Sequence, residues 1–576
     1  MAKGKGQVAK LENSKLTRRH FLTTGTLTGV AAALPSVSGP AGVAASVTSK
    51  ERAPVKPFEF DEITVAKLQG EMQSGRLTAR SIAEKYLARL EEADQHGPQV
   101  NSVIEVNPDA LAIAERLDRE RKTKGPRGPL HGIPVLIKDN IATRDRMMTT
   151  AGSLALVGAR PAKDAFVVKR LREAGAVILG KTNLSEWANI RSAHSTSGWS
   201  GRGGLTRNPF ALDRNPCGSS SGSAAAVSSN FCMLALGTET DGSIVCPSSV
   251  NGTVGIKPTV GLISRAGIIP IAHSQDTAGP MARSVTDAAI LLGALTGVDA
   301  DDPATEASRG KAFADYTKFL DPNGLRGSRI GAARRLFGIS DAVDSLMNQA
   351  LEEMKRQGAI IVDPVELGAL DQVGDSELQV LLYELKADLN SYLAALAPGA
   401  LVHTLQDIID FNERNRKKEM SYFGQDLFIK AEAKGPLTEK EYLDALEKNH
   451  RLTRKEGIDA AMEKFQLDAL VAPTAGPAWL TDLVDGDHDT GGSSTPAAVA
   501  GYPNITVPAG FVFGLPVGIS FFGKAYSEPT LLKLAYAFEQ ATRHRRAPQF
   551  LPSADLTQWY WFTLISLCRP ALQFLV

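Results

Sequence analysis

Two short segments of this chain set serines among small residues, and a third places a lysine after an apolar run. The segments are CGSSSGS at 217–223, TETDGS at 238–243 and GIPVLIKDN at 132–140. A serine hydroxyl attacks a carbonyl carbon only when a neighbouring group takes its proton. A lysine surrounded by apolar residues has a lowered pKa and can be that base. Lys138, Ser219 and Ser243 are therefore candidates for a serine hydrolase without a histidine.

The serine cluster alone permits other interpretations. Residues 218–222 match the G-x-S-x-G pattern of a nucleophile elbow, with Ser220 as the nucleophile, but that motif directly follows a strand. Here two Asn-Pro pairs precede it, and they favour turns. A phosphate-binding loop would end in G-K-[ST], which this segment lacks. The remaining alternative is a structural loop of small residues that opens a helix at 224–227.

A histidine base is the other alternative. His131, His194 and His273 lie near these segments, and spacing alone permits a Ser-His-Asp arrangement.

The four cysteines are Cys217, Cys232, Cys246 and Cys568, and no C-x-x-C pair occurs. We therefore expect neither a metal nor a redox site. The spacing gives no support for a disulfide framework, so we interpret the three cysteines among the serines as small buried residues. Whether any two of them pair stays open.

The elements that must hold these segments alternate between helices and short apolar strands. Helices are predicted at 165–174, 344–358 and 458–465, each followed by a strand, at 176–179, 359–362 and 469–472. Further helices are predicted at 64–72, 79–90 and 527–541, with strands at 504–507 and 516–522. This alternation favours an α/β layered fold around a largely buried sheet.

Composition agrees with a globular protein of that kind. Of the 576 residues 43% are hydrophobic and 22% are charged, which suits a sizeable core. The formal net charge of +1 gives no field for nucleic acid or an anionic membrane. We predict one domain at 50–553, within which the charged helical segment near 400–460 is an inserted or peripheral part.

The first 45 residues are typical of an export signal. Residues 17–22 read TRRHFL and resemble a twin-arginine motif, and the apolar stretch at 21–34 is too short and polar for a membrane span. Val43-Ala44-Ala45 is a plausible signal-peptidase site. We therefore predict export by the twin-arginine machinery, as a transient partner, to the periplasm or beyond.

The other end of the chain, 554–576, is an atypical apolar tail. It contains QWYWFTLISL at 558–567, which is short for a membrane span. We expect this tail to dock against the rest of the protein, or to result from a shift in the reading frame, rather than to anchor the protein in a membrane.

The candidate site segments belong to a series of short sequence motifs. In chain order, these motifs lie at 132–140, 150–153, 180–186, 216–223, 241–247, 255–261 and 276–284. Together they resemble the amidase signature family, over about 60–545. The resemblance implies a central mixed β-sheet covered by helices on both faces. Three segments, at 183–189, 197–200 and 238–247, resemble the bacterial peptide amidases of that family, which release ammonia from the C-terminal amide of a peptide and leave internal peptide bonds alone.

The resemblance also implies a role for each candidate residue. Ser243 corresponds to the nucleophile, Lys138 to the base, and Ser219 to a bridging serine that follows a cis peptide bond from Gly218. The expected oxyanion hole consists of backbone N–H groups, those of Thr240, Asp241, Gly242 and Ser243.

Asp241 departs from the glycine common at this position. Only its backbone is needed for the hole, and its carboxylate is expected to narrow the leaving-group pocket or to select substrate.

The resemblance therefore predicts an amidase that converts a carboxylic amide, above all a C-terminal peptide amide, to acid and ammonia through an acyl-enzyme. The alternatives are the glutamine-hydrolysing subunit of a tRNA-dependent amidotransferase, an amidase for small aliphatic or aryl amides, and a non-catalytic binding module. We expect a monomer that needs no cofactor or metal and has no stable membrane span.

Overall fold

The computed structural model describes residues 55–397 and 399–558. The predicted export signal at 1–45 lies outside the described residues, as does the predicted tail from residue 559 onward.

Strands occur throughout the described part of the chain. They are β1 (Val103–Val106), β2 (Pro134–Lys138), β3 (Val177–Thr182), β4 (Trp199–Ser200), β5 (Gly204–Leu205), β6 (Leu234–Glu239), β7 (Val254–Lys257), β8 (Thr277–Ala282), β9 (Arg329–Ala332), β10 (Ile360–Val362), β11 (Ala469–Pro473), β12 (Asn504–Val512) and β13 (Leu515–Phe522).

Helices alternate with these strands. They are α1 (Val65–Gln73), α2 (Ala79–Arg89), α3 (Ala110–Lys124), α4 (Phe166–Glu173), α5 (Ser221–Ser228), α6 (Val245–Val250), α7 (Val285–Leu295), α8 (Asp341–Arg356), α9 (Gly374–Ala394), α10 (Leu405–Arg414), α11 (Arg416–Glu419), α12 (Asp426–Glu432), α13 (Lys440–His450), α14 (Asp459–Phe465), α15 (Thr495–Ala500) and α16 (Glu528–Thr542).

A mixed sheet of eleven strands forms the centre, in the order β1-β3-β2-β6-β8-β7-β12-β13-β11-β9-β10. The β3–β2–β6 and β11–β9–β10 groups are parallel, and the strands between them are antiparallel. The register places Lys138, at the end of β2, beside Thr182 of β3. The predicted mixed sheet is confirmed.

Helices cover both faces of this sheet. Every residue of β2, β3, β6, β8 and β13 is buried. Because successive side chains of a strand point to opposite faces, continuous burial means that both faces are covered. Among the helices, α5 packs against β6, and α8 and α16 pack against β12.

The predicted helix–strand pairs are confirmed, and local capping sets their limits. Thr78 caps α2, because its side chain accepts a hydrogen bond from the Ser81 N–H at 3.0 Å. Helix α8 begins at Asp341, earlier than predicted, because Ser340 accepts from the Val343 N–H at 3.3 Å and ends the preceding turn.

In the helical segment from α9 to α14, helices α9, α10 and α12 share an apolar cluster that is separate from the main core. Leu389, Leu405 and Phe428 contribute to this cluster, together with Trp187 and Ile271 from the loops near the serines. The segment thus begins at α9, earlier than the predicted residue 400. None of the helices in 55–397 and 399–558 is long and apolar enough to cross a membrane.

Arg191 fixes this helical segment to the loop at 186–191. Its buried guanidinium donates to Glu186 Oε1 at 2.7 Å and to the backbone oxygen of Glu419, and it lies 4.3 Å from the Phe423 ring centre. A Glu419 carboxylate oxygen also accepts from the Leu154 N–H at 2.7 Å. One buried cation therefore joins two parts of the chain that are far apart in sequence.

Candidate active site

Lys138 lies at the end of β2 with its side chain fully buried. Its Nζ atom is 2.7 Å from Ser219 Oγ, 2.9 Å from Thr238 Oγ1 and 3.2 Å from the Thr238 backbone oxygen. The Asn140 side chain donates to the same Thr238 hydroxyl at 3.0 Å. The sheet therefore holds the amine of Lys138 against the serine that the sequence predicts as its partner.

Burial lowers the pKa of Lys138 from 10.5 to about 7, although the carboxylates of Glu239 and Asp276 act in the opposite direction. A large fraction of this lysine is therefore neutral at neutral pH. The neutral amine has two N–H donors, which suit the two oxygens of Thr238, and a lone pair that can accept the Ser219 proton.

Ser219 lies on a crowded loop just before α5. The peptide bond between Gly218 and Ser219 is cis, and Cys217 before it has φ +55°. A Cβ atom at Gly218 would overlap the Ser185 hydroxyl, and one at Gly222 would overlap the carbonyl oxygens of Ser102 and Asn183. Glycine is thus required at both positions by close approach.

Ser220, the nucleophile of the elbow alternative, is engaged with the backbone. Its hydroxyl donates to the Thr238 carbonyl at 3.0 Å and accepts from the Thr238 N–H at 3.2 Å. The loop is preceded by turns and opens α5 at Ser221, so its form matches the small-residue loop of the sequence analysis. The helix begins three residues earlier than predicted.

Ser243 lies on the loop that joins β6 to α6, next to the first serine loop. The Ser220 N–H donates to the Ser243 carbonyl at 3.1 Å, and Gly242 has φ +75°. Ser243 lines a cavity of about 550 Å³ together with Gly218 and residues 240–242.

The predicted oxyanion donors lie at this cavity. Among the hydrogen bonds of the described residues, none has an N–H of residues 240–243 as its donor. By contrast, the next two N–H groups, of Ile244 and Val245, are occupied by the Glu239 carboxylate at 2.6 and 3.0 Å. The four N–H groups beside Ser243 are therefore available to an oxygen in the cavity.

The carboxyl groups of Asp241 and of Glu377 in α9 interact electrostatically in a buried setting. Asp241 accepts from the Thr495 hydroxyl at 2.7 Å. Burial, reinforced by Asp241, raises the pKa of Glu377 well above its usual range. Gln275 donates to Glu377 at 3.0 Å and to the Thr240 carbonyl at 3.3 Å, so the pair supports the oxyanion loop.

A second cavity, of about 190 Å³, reaches the other side of the site. Ser219, Thr238 and Asn140 line it, whereas Ser243 lines the larger cavity. Ala188 and Thr240 are common to both linings, so the two cavities adjoin at the serine loops.

Two of the cysteines form a disulfide, which corrects the interpretation of these residues as simple buried ones. Cys217 and Cys246 are joined, with their Cα atoms 6.1 Å apart. Cys232 is free and buried.

His131 and His194 are two of the three histidines that the sequence offers as a base. His131 is buried, with Nε2 3.0 Å from the Leu117 carbonyl and Nδ1 accepting from the Arg127 N–H at 3.3 Å. His194 is exposed on a loop. Both ring nitrogens of His131 are thus engaged, and His194 lines neither of the two cavities at the serines.

His273 lines the smaller cavity and pairs with acidic residues of α9. Its Nδ1 atom is 2.9 Å from Asp388 Oδ2, and its Nε2 atom is 3.5 Å from Glu384 Oε1. These three residues could hold a metal ion by their spacing. However, Glu384 already accepts from the Tyr442 hydroxyl at 2.8 Å and from the Ser274 N–H at 2.9 Å, so the group is satisfied as an ion pair.

Sequence patterns assigned no role to several residues that shape the site. Thr238 and Asn140 lie inside the segments 238–243 and 132–140. Only the fold shows that the Thr238 hydroxyl contacts Lys138 Nζ and that the Asn140 side chain donates to the same hydroxyl. Glu377 had no sequence signal, because it comes from a distant helix.

Comparison with known proteins extends over nearly the whole described chain. The family model for amidases, named Amidase, matches residues 81–532. The native peptide amidase of Stenotrophomonas maltophilia, a solved structure, is 53% identical with a TM-score of 0.82, covering 86% of this chain and all of that one.

Two further relatives are known from sequence. A probable amidase of Arabidopsis thaliana is 44% identical over 503 residues, which cover 86% of this chain and 93% of the relative. One component of the glutamyl-tRNA(Gln) amidotransferase of Halorhodospira halophila is 33% identical over 498 residues, which cover 84% of this chain and 99% of that relative.

Proposed function

The chain belongs to the amidase family and is a hydrolase of C–N bonds, and from that premise we propose that it removes ammonia from C-terminal peptide amides through Lys138, Ser219 and Ser243. The observation that carries this proposal is the 2.7 Å contact between Lys138 Nζ and Ser219 Oγ in a fully buried setting. A neutral amine in that position can drive a serine relay without a histidine.

The first half of the reaction forms an acyl-enzyme. Neutral Lys138 takes the proton of Ser219, which takes that of Ser243, and Ser243 Oγ adds to the amide carbonyl carbon. The carbonyl oxygen becomes an oxyanion, which the N–H groups of residues 240–243 stabilise. Each such donor contributes about 2.7–4 kcal/mol in comparable hydrolases.

The leaving nitrogen then receives a proton from Ser219, which Lys138 replenishes. The C–N bond breaks, ammonia departs, and the peptide acyl group stays on Ser243 as an ester. A water molecule that loses its proton to the same relay adds to this ester, and the peptide acid leaves as Ser243 regains its hydrogen. Lys138 is neutral again at the end of the cycle.

A peptide amide is favoured over the alternative substrates by two findings. Identity is 53% with a peptide amidase but 33% with the amidotransferase component. The cavity of about 550 Å³ beside Ser243 combines polar residues with an apolar part formed by Trp479, Leu381 and Ile190, and that part suits the apolar side chain of a peptide.

Ammonia release from a substrate panel tests this proposal. The panel contains peptide amides, free glutamine, fatty amides and aryl amides, and mass spectrometry checks that each consumed amide becomes the acid with its internal peptide bonds intact. Ser243→Ala, purified in parallel, corrects for contaminating activity. Turnover of glutamine alone, in the presence of tRNA and partner subunits, would contradict the proposal.

We also propose that the enzyme works outside the cytoplasm after twin-arginine export. The sequence at 17–22 supports this, and so does the Cys217–Cys246 bond, because disulfides persist in oxidising compartments.

A further inference from the structure

The two serines of the proposed relay lie on separate loops. Ser219 precedes α5, whereas Ser243 precedes α6. Proton transfer between them depends on close placement, since a displacement of about 1 Å can lower a rate about 10²-fold. Whatever fixes one loop relative to the other therefore affects the reaction.

The Cys217–Cys246 disulfide crosses directly between these loops. Cys217 is the residue before Gly218, and Cys246 lies in the first turn of α6, where its N–H donates to the Gly242 carbonyl at 2.8 Å. Both cysteines line the cavity that contains Ser243. The bond thus joins points only a few residues from each serine.

The Cys217 end of this bond is itself held in place. The Cys217 N–H donates to Asn215 Oδ1 at 2.7 Å, and the Ser221 hydroxyl donates to the Cys217 carbonyl at 2.6 Å. These bonds tie the Cys217 backbone to the turn before it and to the start of α5, and the disulfide ties the same backbone, next to the Gly218–Ser219 peptide, to α6.

We propose that the Cys217–Cys246 disulfide is a positioning element of the active site, which sets the loop of Ser219 against the loop of Ser243. This inference rests on the proposed roles of the two serines. The disulfide is not in the relay and exchanges no proton with substrate; it acts through the two loops that it joins.

Other contacts join the same loops and would survive loss of the disulfide. The Ser220 N–H donates to the Ser243 carbonyl, and the Asn251 side chain donates to the carbonyls of Pro216 and Pro247 at 2.9 and 2.7 Å. Removing the disulfide should therefore displace the serines slightly and leave the fold intact.

The test compares the wild type with the double variant Cys217→Ser/Cys246→Ser. Peptide mapping under non-reducing conditions first establishes the bond in the wild type. We expect kcat for ammonia release to fall roughly 10- to 100-fold in the double variant, with KM within about threefold of wild type, as for a misplaced catalytic group. Circular dichroism at the assay temperature should be unchanged.

Cys232→Ala is the matched control, because it removes the buried free cysteine and leaves the disulfide. Dithiothreitol gives two electrons and two protons to the cystine, producing two thiols and a cyclic disulfide. It should lower kcat in the wild type and in Cys232→Ala, reversibly on reoxidation, and leave the double variant unaffected.

A fluorophosphonate probe separates this inference from the proposed function, because it reports Ser243 reactivity without any amide substrate. Slower labelling of Ser243 in the double variant supports positioning even if the wild type releases no ammonia from peptide amides, which would refute the substrate alone. Wild-type kcat and labelling rate in the double variant, with only a lower Tm, would overturn the inference. Free thiols at both positions in the mapped wild type would also overturn it.

Discussion

The Nζ atom of Lys138 and the Oγ atom of Ser219 are 2.7 Å apart although their residues are separated by 81 positions, and neither side chain is exposed to solvent. The end of β2 supplies the lysine, and the loop before α5 supplies the serine. Because the amine is removed from water, burial lowers its pKa more than the nearby carboxylates of Glu239 and Asp276 raise it.

Replacing the proposed base should strongly lower the rate of turnover. We expect Lys138→Met and Lys138→Arg each to lower kcat at neutral pH by about 10²–10⁴-fold, because methionine accepts no proton and arginine does not give one up. Steady-state ammonia release measures this. Lys67→Ala, at an exposed position of α1, is the control and should match wild type. Wild-type activity in Lys138→Met would refute the lysine-base mechanism.

The pH dependence follows from the same group. The pKa of Lys138 is lowered to about 7, and the base works only when neutral, so kcat/KM should rise with pH through about 7 and then level off. The unfolded chain keeps this lysine protonated up to about 10.5, so between these values Lys138 makes the free energy of unfolding increase with pH. Rate profiles and denaturant titrations of wild type and Lys138→Met measure both effects; a rate that keeps rising to the ordinary lysine pKa would contradict the lowered value.

Two serine variants distinguish the nucleophile from the elbow alternative. Ser243→Ala should lose nearly all activity while keeping its stability. Ser220→Ala removes the acceptor of the Thr238 N–H and one of two donors to the Thr238 carbonyl, so it should lower the free energy of unfolding by about 1–3 kcal/mol. Trapping of the acyl-enzyme by mass spectrometry identifies the acylated residue. An acyl group on Ser220 would mean that the elbow interpretation is right.

Removing the cation that joins the helical segment should destabilise the protein. Arg191→Met leaves the buried carboxyl groups of Glu186 and Glu419 without their partner, at a cost of about 3–5 kcal/mol. Chemical denaturation measures this, and limited proteolysis should show earlier cleavage within α9–α14. Arg416→Ala, an exposed neighbour in the same segment, serves as the control. Equal stability of the two variants would contradict the buried role of Arg191.

Export depends on the arginine pair if the proposal for the N-terminus is right. Arg18→Lys/Arg19→Lys should leave the precursor in the cytoplasm, whereas Lys15→Arg should be exported normally. Cell fractionation and N-terminal sequencing of the mature form provide the measurement. Unimpaired export of the double variant would refute the twin-arginine route.

Much of the fold could be predicted from local patterns, because helices such as α4 and strands such as β3 follow from apolar spacing and stop residues. The capping of α2 by Thr78 was equally local. The strand order was not predictable, because pairing between strands such as β6 and β8 depends on contacts distant in sequence.

The candidate site shows the same limit. Lys138, Ser219 and Ser243 stood in recognisable segments, but the Thr238 oxygens that hold the lysine could be assigned only from the fold. The pairing of the cysteines stayed open, because spacing along the chain says nothing about the 6.1 Å between the Cα atoms of Cys217 and Cys246. The Asp241–Glu377 pair depends on how α9 packs, which no local pattern encodes.

The glycines at 218 and 222 limit how this enzyme could be altered by directed evolution. Any side chain there would overlap neighbouring oxygen atoms, so a library that varies these two glycines would yield almost no active clones. Helix α9 packs in an apolar cluster separate from the main core and supplies part of the cavity wall through Leu381. New substrate preferences are therefore best sought by randomising that wall and leaving the serine loops untouched.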